Sequence, residues 1–479
     1  MRQDTPSRRT FLRAIAGTGA LAASGALLGT AAGEGIPTPW LERGSGSDSN
    51  LMKDPEGNPV TLRGVNIADP ARLNDGDRRY HVTAEQVTRW ALDESDGWYN
   101  RIVRIPCQTG DIVGSGHGEV APGEMTEGDL TDYLETHLRP VVDICAEEGA
   151  YCIVDYHRHQ DDQLLYTDEA LSEEVHLFWE VMAEAFAEDS HVLFEVYNEP
   201  IAPYPGHNDY GQDAGVDVAD PDSTEAEETW LTWREAAQPW VDTIREHAPQ
   251  NPIIIGSPRW TQWTWWADEH EFDGDNLAYA GHVYAHENLR PLSEYFGKPA
   301  ESVPVFMTEF GYDDEGQDFL KGTTSVEGEQ FVEFFENHPH VHWQVWCFDP
   351  RWEPAMFDED QGEWMLRDGD EFHGEYFKAY LAEKRDEDLP HGDGTSTTTT
   401  TDPTDTTPEG PDWPANATDP DDDGLYEDLS GNDEIDFPDV NTFFQNTGTD
   451  RVDRNRQFYD FTEDEEISLQ DVMVLFEQI

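Results

Sequence analysis

The chain is poor in positive charge. Its 479 residues include only 29 Lys and Arg against 102 Asp and Glu, so the formal net charge is −73. The charged fraction of 27% is ordinary, and the imbalance therefore lies in the sign of the charges. Such a surface repels itself in dilute buffer, but at 1 M salt the Debye length falls to about 3 Å and screens the repulsion. We predict a salt-adapted surface, and we expect neither nucleic acid nor an anionic membrane as a partner.

Cysteine is also scarce. Cys107, Cys145, Cys152 and Cys347 show neither C-x-x-C spacing nor a pairing with histidine, which argues against a metal centre. One or two disulfides, as an exported protein can form, and four buried free thiols both fit the sequence. Aromatic residues are plentiful, with 16 Trp, 17 Tyr and 22 Phe. Because disordered acidic chains are poor in aromatics, we predict a folded protein.

Residues 1–32 are predicted to be a twin-arginine signal peptide. The sequence SRRTFLR occupies 7–13, and a run of small and apolar residues extends from Ala14 to Ala32. Gly and Ala dominate this run, which favours a cleaved signal over a membrane anchor. We expect a secreted protein that is exported in the folded state, with no membrane attachment after cleavage.

Eight short apolar segments, mostly alternating with helical patterns, follow the signal. The predicted strands are 60–66, 101–106, 151–157, 191–200, 252–258, 277–284, 303–311 and 341–348. Alternation of this kind predicts a parallel α/β sheet, and eight units over roughly 330 residues predict a (β/α)8 TIM barrel. A doubly wound open sheet is the alternative, although no Gly-rich phosphate loop follows an early strand. A barrel would place its active site at the C-terminal strand ends.

Polar and aromatic side chains stand at those predicted strand ends. They are Arg104, His157, Asn198, Glu199, His282, Tyr284, Glu309 and Trp346. Two carboxyl groups that face each other across a barrel mouth can hydrolyse a glycosidic bond. Most acidic residues of so acidic a chain belong to the surface, and only their position at strand ends distinguishes Glu199 and Glu309.

Seven motifs in order carry a family resemblance. They are LRGVN at 62–66, VRIP at 103–106, DYH at 155–157, YNEP at 197–200, HVY at 282–284, TEFG at 308–311 and WQVW at 343–346. With each motif at a predicted strand end, residues 33–385 resemble glycoside hydrolase family 5, which includes secreted cellulases. The resemblance implies a cofactor-independent, retaining endo-β-1,4-glucanase that acts on a β-glucan. A β-mannanase, a mixed-linkage β-glucanase and, from another class, a non-catalytic glycan-binding or surface-assembly protein remain alternatives.

The resemblance also implies a role for each candidate residue. Glu309 would be the nucleophile and Glu199 the general acid and then base. Asn198 would contact the sugar 2-hydroxyl, and His157 the sugar in subsite −1, with Trp346 as the apolar floor beneath it. Arg104 and Tyr284 would orient Glu309, with His282 close by. A further cluster past the fifth strand, Trp260, Trp263, Trp265 and Trp266, could stack on sugars or pack between loops.

The C-terminal part changes in composition. Residues 386–418 form a linker rich in Thr, Pro and Asp, and residues 419–479 contain two acidic segments in a repeat. Their oxygen-bearing residues follow EF-hand spacing: Asp428, Ser430, Asn432, Asp436 and Asp439, then Asp460, Thr462, Asp464, Ser468 and Asp471. The repeat resembles a dockerin module, which implies a small all-α unit that binds Ca²⁺ and contacts a docking partner. Asp433 and Glu465 replace the usual turn glycine, and a merely salt-adapted surface is the alternative.

Overall fold

The computed structural model describes residues 35–75, 81–116, 118–158, 164–204, 223–285, 289–314, 317–360 and 362–391, with single residues and short runs between 417 and 476. The predicted signal peptide and most of the predicted linker lie outside these residues. The chain divides into two compact units, Met1–Ser396 and Thr397–Ile479. No helix in the described part of the chain combines the length and the apolar character that a membrane crossing requires.

The first unit is built on a closed barrel of parallel strands. The strands are β1 (Arg63–Asn66), β2 (Ile102–Gln108), β3 (Tyr151–His157), β4 (Val192–Glu195), β5 (Ile253–Ile255), β6 (Leu277–Val283), β7 (Val305–Phe310) and β8 (His342–Val345). Each strand pairs with its neighbours in sequence, and β8 pairs with β1 to close the ring. The predicted (β/α)8 barrel is therefore confirmed, and the open-sheet alternative is wrong.

Helices cover the outside of the barrel. They are α1 (Ala84–Ala91), α2 (Glu127–Tyr133, continued by Leu134–Leu138 and Arg139–Glu147), α3 (Glu169–Phe186), α4 (Thr224–His247), α5 (Glu329–Asn337) and α6 (Gly374–Glu383). A capping box between Thr83 and Gln86 begins α1. Trp179, Trp230, Trp233 and Trp240 are fully buried, because they lie on the faces of α3 and α4 that pack on the barrel.

Shorter elements complete this unit. Single turns of helix occupy Gly46–Asp48, Pro70–Asn74, Glu94–Asp96, Thr109–Ile112, Pro258–Thr261, Thr264–Trp266, Ser293–Gly297, Lys298–Ala300 and Thr324–Gly328. A small antiparallel sheet joins Glu42–Arg43, Met52–Lys53 and Pro59–Val60. After β8 an antiparallel hairpin is formed by β9 (Phe357–Asp360) and β10 (Glu363–Leu366). The four cysteines are free and buried, so no disulfide joins them.

Strand β4 shows how the fold positions a site. Its alternation directs Val192 and Phe194 towards the helices, whereas Leu193 belongs to the inner core of the barrel. The strand ends at Glu195, although the prediction extended it to Pro200. Beyond its end, the amides of Asn198 and Glu199 donate to the carbonyls of Tyr156 and Arg158. The strand tip thus turns towards β3, which holds Asn198 and Glu199 at the barrel mouth.

The second unit has a small apolar core of its own. The core includes Leu429, Val440, Phe443, Val452, Tyr459 and Leu475, and helices occupy Arg456–Tyr459 and Leu469–Phe476. Of the ten predicted calcium ligands, Thr462 and Asp471 are described and the other eight lie outside the described residues. Asp471 Oδ1 accepts hydrogen bonds from the Thr462 amide at 3.0 Å and hydroxyl at 2.8 Å. These two residues of the second acidic segment are therefore neighbours in space.

Candidate active site

A cleft of about 610 Å³ opens at the C-terminal ends of the barrel strands. Among the residues that line it are His157, Asn198, Glu199, Tyr284, Glu309 and Trp346. Six of the eight predicted site residues therefore border one cavity. Arg104 and His282, the other two, lie directly beneath it and contact its carboxylates.

Glu309, near the end of β7, is held by two donors. Arg104 Nη1 donates to Oε1 at 2.8 Å, and the Tyr284 hydroxyl donates to Oε2 at 2.7 Å. Its side chain is almost fully buried. Two short hydrogen bonds to separate oxygens fix both the position and the rotation of this carboxylate.

Arg104 is the centre of a buried polar network. It is fully buried, and its five N–H groups face three carboxylates and two amides. It donates to Glu195 from Nε at 2.6 Å and from Nη2 at 3.1 Å, and its Nη2 lies 3.0 Å from Asp155 Oδ2. Asn66 Oδ1 and Asn198 Oδ1 accept further bonds at 3.0 and 2.7 Å. A planar guanidinium can meet this many acceptors at once, whereas a lysine ammonium cannot.

His282 on β6 joins the two predicted catalytic carboxylates. Its Nδ1 lies 3.0 Å from Glu199 Oε1 and 3.6 Å from Glu309 Oε2. Its Nε2 lies 2.9 Å from the Thr308 hydroxyl, which itself donates to Glu195 Oε1 at 3.0 Å. Since the hydroxyl proton is engaged by Glu195, Thr308 accepts from Nε2, and Glu199 accepts from Nδ1. Both ring nitrogens therefore donate, as in an imidazolium ion.

The electrostatics of the network agree with this assignment. Burial opposes the charge of His282, but Glu309, Glu195 and Glu199 outweigh it and raise its pKa to about 10. Burial raises the pKa of Asp155 well above its ordinary value, because Glu195 and Glu309 add to the effect and Arg104 only partly offsets it. Burial also acts on Glu195, yet Arg104 and His282 lower its pKa. The two buried cations, Arg104 and His282, therefore face a set of carboxyl groups that includes Asp155, Glu195 and Glu309.

Glu199 and Asn198 face the cleft beside this network. Glu199 and Glu309 each bring a carboxylate oxygen to within 4.8 Å of the other and of a His282 ring nitrogen. The Asn198 carbonyl oxygen accepts from Arg104, which directs the amide nitrogen away from the guanidinium. That nitrogen is buried and has no hydrogen-bond partner among the described residues. A buried donor in this state is suited to a ligand hydroxyl, which would satisfy it.

Aromatic rings form one wall of the cleft. Trp346 and His157 are stacked at 5.7 Å with an interplanar angle of 8°, and Trp352 stacks on Trp346 at 5.3 Å. His157 Nδ1 lies 2.7 Å from Asp155 Oδ2, which orients the imidazole. The Trp346–Cys347 peptide is cis. Trp343, three residues earlier on β8, packs with its side chain in the core outside the barrel strands and stacks on Tyr380. The two tryptophans therefore have different environments.

The four tryptophans of the predicted cluster after β5 have different environments. Trp260 lines the cleft, whereas Trp263 and Trp266 are buried and Trp265 lies under the ammonium of Lys298. Arg259, Trp260 and Thr261 have φ values of 59°, 57° and 56°, a left-handed turn that costs roughly 1–2 kcal/mol per residue. The amides of Arg259 and Trp260 donate to the carbonyls of Ile201 and Pro200. Trp260 is thus fixed to the segment that carries Glu199.

Four residues of the network were not among the predicted site residues: Asn66, Asp155, Glu195 and Thr308. Asn66 ends the first motif and Asp155 begins the third, so the motifs contained a signal for both. Glu195 is a charged residue inside a strand that is otherwise apolar, and it lies on the inward face. That pattern could have identified it. Thr308 has no comparable signal, because a buried threonine is common in strands.

The first 53 residues aside, one family model accounts for most of the barrel unit. Residues 54–351 match the model described as Cellulase (glycosyl hydrolase family 5). The chain belongs to glycosyl hydrolase family 5. Membership agrees with the resemblance drawn from the motifs, and it identifies the barrel unit as a glycoside hydrolase that needs no cofactor for catalysis.

Two endoglucanases are similar to this chain in sequence. An endoglucanase of Halalkalibacter akibai is 24% identical over 317 residues, which cover 62% of this chain and 34% of the relative. Endoglucanase N of Pectobacterium atrosepticum is 24% identical over 319 residues, covering 64% of this chain and 58% of the relative. The match thus spans about a third to three fifths of these relatives.

Two solved structures share the fold of the barrel unit. A β-glucanase of Saccharophagus degradans in complex with cellotetraose superposes with a TM-score of 0.54 at 19% identity, covering 73% of this chain and 95% of that one. The cellulase Cel5C_n gives a TM-score of 0.53 at 22% identity, covering 72% and 93%. These similarities support the barrel architecture.

Proposed function

We propose that this chain is an exported endo-β-1,4-glucanase that cleaves its substrate with retention of anomeric configuration. The observation that carries the proposal is the pair of carboxylates, Glu199 and Glu309, whose oxygens approach within 4.8 Å at the floor of one cleft. Retaining glycosidases hold their carboxyls about 5 Å apart, and inverting ones leave room for a water between them. The names of the related endoglucanases and the cellotetraose bound to the related β-glucanase support the choice of a β-glucan as substrate.

In the first step Glu309 attacks the anomeric carbon while Glu199 protonates the leaving oxygen. The bond from the anomeric carbon to that oxygen breaks, and an ester forms between the sugar and Glu309. Arg104 and Tyr284 keep the nucleophile aligned by one hydrogen bond to each oxygen. These two hydrogen bonds set the orientation of the carboxylate before substrate arrives.

In the second step Glu199 takes a proton from water, and the water oxygen displaces Glu309 from the anomeric carbon. Esterification removes the negative charge of Glu309, which had faced Glu199 across the floor of the cleft. His282 remains hydrogen-bonded to Glu199 and keeps it directed at the same face of the sugar. The product regains a hydroxyl on the face from which the leaving group departed.

Three further residues suit the sugar in subsite −1. The buried amide nitrogen of Asn198 supplies a donor for the 2-hydroxyl, a contact that strengthens in the transition state. His157 lines the same cleft and stacks on Trp346. The Trp346 ring supplies an apolar surface, and its indole nitrogen donates to the Glu353 carbonyl at 3.1 Å, which fixes the ring.

The decisive experiment replaces the nucleophile. Glu309→Gln keeps the shape of the side chain but removes its charge, and we expect kcat on soluble β-glucan in molar salt to fall by several orders of magnitude. Glu353→Gln is the matched control, since Glu353 also lines the cleft and is not assigned to the chemistry. Near-native activity of Glu309→Gln would reject the assignment. NMR of the first-formed anomer tests retention, and parallel assays on cellulose, mixed-linkage glucan, mannan and xylan test the substrate.

The C-terminal unit is proposed to bind Ca²⁺ and to serve docking or stabilisation. The hydrogen bonds from Thr462 to Asp471 support this proposal, because they bring together two residues at ligand positions of one acidic segment. Calorimetric titration of the whole protein with CaCl₂ should give heat that Asp471→Ala diminishes. An absence of heat at millimolar Ca²⁺ would leave salt adaptation as the reason for these carboxylates.

A further inference from the structure

A second concave surface of about 670 Å³ lies on the barrel unit and shares no lining residue with the catalytic cleft. We call it the aromatic groove. Its aromatic lining includes Trp90, Trp98 and Trp364, and its charged lining consists of Asp93, Asp96 and Glu363. Nothing in the two-carboxylate chemistry uses these residues.

Trp90 is the most accessible ring of the groove. It lies near the C-terminal end of α1, and 40% of its surface is exposed, although the helix buries its apolar face through Ala84, Val87 and Ala91. Trp364 on β10 stands 5.7 Å away at an interplanar angle of 69°. The two rings form a corner with surfaces at nearly right angles. Neither the packing of α1 nor the pairing of β9 with β10 requires Trp90 to be an aromatic residue.

Trp98 forms the floor of the groove rather than a contact surface. It is buried, its ring packs edge-on against Phe348 at 4.8 Å, and the ammonium of Lys378 covers it at 4.6 Å. Lys378 also pairs with Asp96 at 3.2 Å. These contacts hold the floor in place, so Trp90 is the most accessible ring of the groove, and Trp364, which also packs against Phe357 at 5.6 Å, is partly exposed beside it.

The polar lining restricts the ligand. Among the described residues that line the groove, every charged one is acidic, which disfavours an anionic ligand. Carboxylate oxygens accept hydrogen bonds and so suit a ligand rich in hydroxyl groups. Asp93 already accepts bonds from the amides of Ser95 and Asp96 and is therefore held in place, whereas Glu363 is exposed.

We propose that the aromatic groove binds a neutral β-glucan chain outside the catalytic cleft. A pyranose ring presents an apolar face that stacks on tryptophan, and its peripheral hydroxyls donate to carboxylates beside the ring. The inference relies on the proposed function only for the identity of the polymer. The groove and the cleft are built partly from one segment of the chain. The segment after β8 contributes Trp346 and Trp352 to the cleft and Phe348 and Trp364 to the groove. A chain held in the groove raises the local concentration of polymer at the cleft.

The test compares binding and catalysis in the full-length protein in molar KCl. In the Glu309→Gln background, Trp90→Ala should weaken retention on insoluble cellulose several-fold, and Trp90→Tyr should restore part of it. Trp265→Ala is the control, since Trp265 is partly exposed but covered by Lys298. With Glu309 intact, Trp90→Ala should lower activity on insoluble cellulose while kcat/KM on a short soluble cello-oligosaccharide stays unchanged.

Three results would overturn the inference. The first is that Trp90→Ala is retained on cellulose as strongly as its parent, and the second is that Trp265→Ala loses as much retention as Trp90→Ala. The third is Trp90-dependent binding of tetramethylammonium without glucan binding, since acids and aromatic rings also hold quaternary cations. Failure of the proposed function has a different signature. In that case the unmodified protein would not cleave β-glucan, whether or not cellulose binding depends on Trp90.

Discussion

Carboxylates have different physical roles in the barrel mouth and on the surface. In the mouth, the side chains of Asp155 and Glu195 are fully buried and that of Glu309 is 4% exposed, and all three meet Arg104. On the surface, Asp273 and Asp318 pair with Arg234 and Lys321 while 85% and 98% exposed. An exposed pair contributes about 0–1 kcal/mol, whereas a buried charge depends wholly on its partners. Each buried charge therefore depends on particular partners, whereas an exposed charge is stabilised mainly by solvent.

The largest expected effect is on the surface side of this comparison. Transfer from molar KCl to dilute buffer should unfold the barrel unit, because the repulsion within a net charge of −73 is no longer screened. Circular dichroism and activity measured along a KCl titration would follow the loss. Sucrose offers a control, since it favours the compact state by exclusion without screening charge. Full structure and activity in dilute buffer would contradict the proposed salt adaptation.

The next effect separates a buried from an exposed arginine. Arg104→Met leaves Glu195 and Glu309 without their main cation, and we expect a loss of about 3–5 kcal/mol in the free energy of unfolding. Arg89→Met removes a half-exposed partner of Glu147 and Glu148 and should cost about 0–1 kcal/mol. Urea unfolding of both variants in molar salt measures the difference. Equal costs would mean that burial does not distinguish the two sets of carboxylates.

The last test is a pH dependence within the buried set. Because the pKa of His282 is raised to about 10 in the folded protein from about 6.5 when unfolded, its protonation stabilises the fold fully below the unfolded value. That contribution is lost as the pH rises through 10. The free energy of unfolding should therefore fall more steeply between pH 7 and 10 for the wild type than for His282→Gln. Parallel slopes for the two proteins would show that His282 is not protonated in the fold.

The order of the elements could be predicted from the sequence because the barrel strands are short apolar runs that mostly alternate with helices. The ends of the strands could not, as β4 shows. Val196 and Tyr197 continue the apolar run, and the prediction extended the strand to Pro200, yet the amides of Asn198 and Glu199 bond to carbonyls at the end of β3. Those partners lie about forty residues earlier in the chain, so local patterning carries no information about them.

The candidate site shows the same division. Glu199 and Glu309 could be selected from 102 acidic residues because each ends a predicted strand within a motif. The residues of the network beneath them could be identified from the sequence only in part. Arg104 was expected to orient Glu309, but its pairing with Asp155 and Glu195 depends on side chains from β3 and β4 that point to the centre of the barrel. The aromatic groove likewise joins α1 to a hairpin more than 260 residues later.

By itself, the sequence determined that the chain is acidic throughout, that eight short strands mostly alternate with helices, and that two carboxylates stand at predicted strand ends. These properties depend on composition and on neighbours along the chain. Only the tertiary structure decided that Asp155, Glu195 and Glu309 share one arginine, that His282 bridges Glu199 and Thr308, and that Trp90 meets Trp364. The physical reason is that closing the barrel brings the ends of distant strands within hydrogen-bond distance, where burial makes each charge depend on its partners.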